Sequence, residues 1–61
     1  MKTREQILDQ IEFYKHMIKL YKSHIKDAYD INDYKRAAHY EELVRKKNKQ
    51  IDTLKWVLGG N

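Results

Sequence analysis

The chain contains no cysteine and no proline, and its only glycines are Gly59 and Gly60. Without cysteine, neither a disulfide nor a cysteine-based zinc site can brace the fold. Without a glycine-rich loop there is no phosphate cradle of the P-loop or dinucleotide-binding type. Without proline, and with no glycine before position 59, nothing in the covalent chain interrupts a helix over most of its length. Long apolar runs are also missing. None approaches the ~20 residues that span a bilayer, and no signal-peptide-like stretch follows the basic start Met1-Lys2-Thr3-Arg4. No serine, histidine and acid fall into a nucleophile arrangement, and no cleft is expected, so catalysis is not expected either. A cytoplasmic, soluble, non-enzymatic protein is the expectation from these absences.

What is present is periodicity. Ile7, Ile11, Tyr14, Ile18, Tyr21, Ile25 and Ala28 are separated by alternating steps of four and three. Ala37, Tyr40, Val44, Lys47, Ile51, Leu54 and Leu58 alternate in the same way. Such spacing marks one face of a helix packed against another helix. Thr3-Arg4-Glu5-Gln6 has the pattern of a capping box. Tyr29-Asp30-Ile31-Asn32-Asp33 offers short polar side chains that compete for backbone bonds and favour a turn. Asp33, or Asn32, is the candidate N-cap of the second helix, with Ile31 as a staple residue, and Gly59-Gly60 is its candidate C-cap. The expected organisation of residues 1–61 is a single domain, with helix 1 at about 4–28, a turn at about 29–32 and helix 2 at about 33–58.

So short a connection makes the helices antiparallel and coiled-coil-like. Folding about Ile31 pairs Ile25 with Ala37, Tyr21 with Tyr40, Ile18 with Val44, Ile11 with Ile51 and Leu8 with Leu54. Tyr14 then meets Lys47, a polar layer in which the lysine stem lies along the ring and its ammonium reaches outward. Acids lead and bases follow in both helices, an order that suits each helix dipole. It also sets the acidic half of one helix beside the basic half of the other, so folding is expected to absorb most of the lysine charge.

A second apolar stripe, Phe13, Met17 and Leu20, flanks the first, and Leu43 and Val57 broaden the stripe of helix 2 in the same way. One partner helix cannot cover all of it. A 61-residue chain without staples is also marginal, since one core this small rarely supplies more than ~3–5 kcal/mol. The economical arrangement is all-α: an antiparallel two-helix hairpin that forms a homodimer, a four-helix bundle, through these five residues.

Other candidate surfaces have simpler alternatives. Tyr29, Tyr34 and Trp56 lie off the stripes and could anchor a protein partner, although Trp56 is expected to wrap onto the end of helix 1. Lys15, Lys19, Lys22 and Lys26 form a ridge on one face, a candidate for contact with nucleic acid, yet a solvated charged face is the commoner outcome. Arg45-Lys46-Lys47-Asn48-Lys49 is basic, but on a helix it points around most of the circumference. His16, His24 and His39 lack every established metal-ligand spacing, so no metal and no cofactor is expected.

The segments from Asn32 to Glu42, with Asp-Tyr, Arg-Ala-Ala and Tyr-Glu, and from Ile51 to Gly59, ending Leu-Lys-Trp-Val-Leu-Gly, resemble a group of short helical-hairpin hypothetical proteins of bacteriophages, prophages and some archaeal elements. The resemblance implies a helical hairpin of mobile-element origin. It implies no activity and carries over no functional residue. The expected function is that of a small interaction protein, phage- or mobile-element-encoded, that self-associates and modulates a host protein. The alternative is a small basic dimer that binds nucleic acid non-specifically through the lysine ridge.

Overall fold

The computed structural model describes residues 3–59. They form two helices, α1 (Arg4–Asp30) and α2 (Tyr34–Gly59). The capping box is present at the start of α1. The Gln6 amide donates to Thr3 Oγ1 at 3.1 Å, and the Thr3 amide donates to Gln6 Oε1 at 2.9 Å. Two of the amides that a helix start leaves without partners are thereby satisfied.

α1 runs two residues beyond its expected end, because Asn32 closes it from the left-handed region at φ 59°. The Asn32 amide donates to the Tyr29 carbonyl at 3.0 Å, and the Asp33 amide to the Ala28 carbonyl at 2.8 Å. This is the Schellman pattern, with asparagine in the place usually held by glycine. Asp33 also opens α2. Its Oδ1 accepts from the Arg36 amide, and its carbonyl from the Ala37 amide, both at 3.1 Å. Such a cap is typically worth ~1 kcal/mol. The connection is therefore Ile31–Asp33 rather than 29–32. Ile31 is the C-cap of α1 and is 65% exposed, so the expected staple does not form. Gly59 is the last described residue of α2, and Gly60 lies outside the described residues.

The helices pack against each other as a hairpin measuring 43 × 17 × 15 Å. Every residue of the two main stripes is buried or half-buried. Ile7, Ile11, Ile18 and Ile51 form the central cluster, against which Tyr14, Val44, Leu54 and Leu58 pack. Leu8 is left on the surface, and Ile7 takes its expected place in the core. Beside the turn, Ala28 and Ala37 are the two most buried residues. A three-residue connection draws the backbones together there, and small side chains accommodate the approach. At the polar layer the Lys47 ammonium does not reach past the ring as expected. Its Nζ lies 4.5 Å from the Tyr14 ring centroid, so the charge itself meets the aromatic face.

Candidate interaction surfaces

The hairpin has two unlike sides, and the grooves between the helices identify them. One groove is lined by Gln10, Tyr14, Gln50, Thr53 and Leu54. Met17 lies one heptad after Gln10, and Leu43 and Val57 lie one heptad before and after Gln50. The flank of α1 carrying Phe13, Met17 and Leu20 therefore faces the same way as the flank of α2 carrying Leu43 and Val57. Phe13 is 56% exposed, Leu20 50% and Val57 55%, while Met17 and Leu43 are half-buried at the seam. Along α1 this side runs through Gln6, Gln10, Phe13, Met17, Leu20 and His24 without a charge and ends at Asp27, and α2 brings Arg36 and Lys46 to its edge.

The opposite groove is lined by Lys22, Ile25, Glu41, Val44, Arg45 and Asn48. Lys15, Lys19 and Lys26 share the flank of Lys22 and are all exposed. The expected pairing of acidic and basic halves across the hairpin does not occur. The three ion pairs among the described residues, Glu12–Lys15, Asp33–Arg36 and Glu42–Arg45, all join residues three apart on one helix. Acids at these positions point away from the seam, so the nearest base is on the same helix. Lys19, Lys22 and Lys26 have no ion-pair partner among the described residues.

At the turn end, aromatic side chains link the helices. The Tyr21 and Tyr40 rings are 5.9 Å apart, and His24 stacks on Tyr40 at 4.9 Å and 19°. His39 meets the edge of the same tyrosine at 5.5 Å. Tyr29 and Tyr34, both exposed, sit 5.9 Å apart across the connection, and the Tyr34 hydroxyl donates to Asn32 Oδ1 at 3.1 Å. No group of three or more histidines and acids able to hold a metal ion occurs among the described residues. At the other end Trp56 is 68% exposed and does not wrap onto α1 as expected. Its position, two residues after Leu54 and two before Leu58 of the packed stripe, puts it on the side of α2 away from the seam.

The Tyr29 hydroxyl donates to Glu41 Oε1 at 3.1 Å, a link between helices that the stripe pattern does not reveal. This hydrogen bond and the charge of Glu41 hold the phenol above its ordinary value of 10.0. The protonated phenol is the donor, so the link is intact below that value and is lost as pH rises through the raised one. In an alkaline titration followed by NMR of labelled tyrosine, Tyr29 is expected to ionise above the ordinary phenol value. Glu41→Gln should bring its midpoint down, and an unchanged midpoint would show that the carboxylate does not control it.

Among the described residues, no helix is long and apolar enough to cross a membrane. Comparison with family models, curated proteins and solved structures returns no match to this chain.

Proposed function

We propose that the protein is a non-enzymatic, cytoplasmic interaction protein that self-associates through the side carrying Phe13, Met17 and Leu20 and binds a second protein with its outlying aromatics. The supporting observation is the exposure of Phe13, Leu20 and Val57 together on one side, where α1 presents no charge from Gln6 to His24. Contiguous apolar surface of this kind marks interfaces. The available area is adequate: a face of 43 by 17 Å offers on the order of 700 Å², near the ~800 Å² per partner of a standard interface. Two such faces applied to each other make a four-helix bundle with Met17 and Leu43 in its interior.

Tyr29, Tyr34 and Trp56 stay outside that contact and supply the surface for the second protein, which the resemblance to bacteriophage proteins implies is a host protein. Light scattering coupled to size exclusion, over a hundredfold range of concentration, tests the first part. A mass of twice 7.5 kDa is expected, and a folded monomer throughout would reject self-association. A photo-crosslinker at Tyr34 tests the second part. Its failure to capture any other protein in host lysate would remove that half of the proposal.

A further inference from the structure

The lysine-rich side is not used in the contact above, and Lys19, Lys22 and Lys26 on it have no ion-pair partner among the described residues. Lys15, Lys19, Lys22 and Lys26 step along α1 by four, three and four residues, a straight ridge about 16 Å long at the helical rise of ~1.5 Å per residue. Across the groove α2 adds Asn48 and Arg45, the latter paired with Glu42, beside Lys22, and Lys55 lies one heptad beyond Asn48. The acids on this side, Glu5, Glu12, Glu41 and Asp52, are outnumbered by its bases. Glu12 sits 3.8 Å from Lys15 in an exposed pair, which is weak and easily exchanged for another anion. Glu41 accepts from Tyr29.

The geometry points to this side as a surface for the phosphate backbone of double-stranded nucleic acid, bound without regard to sequence. A rigid row of cations on a straight helix suits the regular line of charge along a duplex, which carries one phosphate per ~1.7 Å of axis. Of these side chains only Arg45 and Asn48 have planar groups suited to reading a base edge, and the lysine row outnumbers them, so phosphate contact dominates. An anionic membrane is the less suitable polyanion. Phe13, Met17 and Leu20, the residues that would insert into a bilayer, lie on the other side of the hairpin, away from the lysines. The inference goes beyond self-association and does not depend on it.

The test is fluorescence anisotropy with two duplex DNAs of unrelated sequence, at several salt concentrations from about 50 mM upward. The full chain is compared with Lys19→Glu/Lys22→Glu and with Lys46→Glu/Lys49→Glu, which changes the net charge equally on another face. Both duplexes should bind alike, with log K falling against log salt at a slope of about −3 to −4, for three to four phosphates neutralised. The ridge variant should bind at least about tenfold more weakly with a slope smaller by ~2, and the control should stay near the parent. Equal losses in both variants would reduce the effect to net charge and overturn the assignment. So would an absence of duplex binding at the lowest salt, with or without binding to phosphatidylserine vesicles. Circular dichroism confirms that each variant is folded, and Lys19→Gln/Lys22→Gln replaces the glutamate variant if it is not. The monomeric Phe13→Asp/Leu20→Asp variant should keep its duplex affinity per chain, which separates failure of the ridge from failure of self-association.

Discussion

Ile18→Asp is expected to abolish the fold. Ile18 is nearly fully buried in the middle of α1, within the cluster that includes Ile7, Ile11 and Ile51. Removing its side chain forfeits burial worth ~1.5–3 kcal/mol. The aspartate then brings a carboxylate into a layer whose core neighbours are aliphatic or aromatic, and an unpaired charge there costs several kcal/mol more. The whole chain has at most about 3–5 kcal/mol to lose. Far-UV circular dichroism at 25 °C should show helix loss for this variant, whereas Ile18→Val, at ~0.5–1.5 kcal/mol, should melt cooperatively at a somewhat lower temperature. An Ile18→Asp protein that keeps parental helicity would mean that position 18 does not face the partner helix.

The second large effect concerns mass rather than helicity. Phe13→Asp/Leu20→Asp is expected to convert a particle of twice 7.5 kDa into one of 7.5 kDa. Both positions are at least half exposed in the hairpin, so the substitutions remove little internal packing. In the proposed bundle they remove four central anchors, two from each chain, and place like charges in the contact. At ~2 kcal/mol for each anchor, the dissociation constant rises on the order of a millionfold. Leu8→Asp is the matched control, because Leu8 is similarly exposed but lies on the lysine-rich side. It should keep the doubled mass. If the double variant stays dimeric while Leu8→Asp does not, the two sides have been assigned the wrong way round.

The helices themselves were legible before any coordinates, for a physical reason. Apolar residues at alternating steps of three and four have one low-energy arrangement in a chain without proline or internal glycine. A short polar interval between two such stretches leaves only an antiparallel return. The capping box was legible because its two hydrogen bonds depend on residues three apart and on nothing distant. The end of α1 was not, because Asn32 suits both a left-handed C-cap and an N-cap, and tertiary geometry chooses between them. The charge pattern misled for a related reason. Complementary order along two helices requires that the side chains reach each other, and residues such as Glu12 and Glu42 find bases on their own helix first. Trp56 misled through size, since a large ring invites the assumption that it is covered. Exposure of Phe13, Leu20 and Val57 was expected from the width of the stripe, and that exposure is the basis of the proposed contact.

The connection between the helices governs more than their boundaries. Asp33 closes α1 with its amide and opens α2 with its carboxylate, so reversal of the chain is concentrated in Ile31–Asp33 and depends on one residue, Asn32, held at positive φ. A β-branched residue at that position would strongly disfavour the left-handed conformation. The two helices would then tend to merge into one continuous rod. Such a rod could recover every apolar layer by exchanging its second half with a neighbour, because the same residues meet whether the partner segment belongs to the same chain or to another. The left-handed conformation of Asn32 thus favours the closed hairpin over a helix-exchanged pair, although its side chain makes no part of the core.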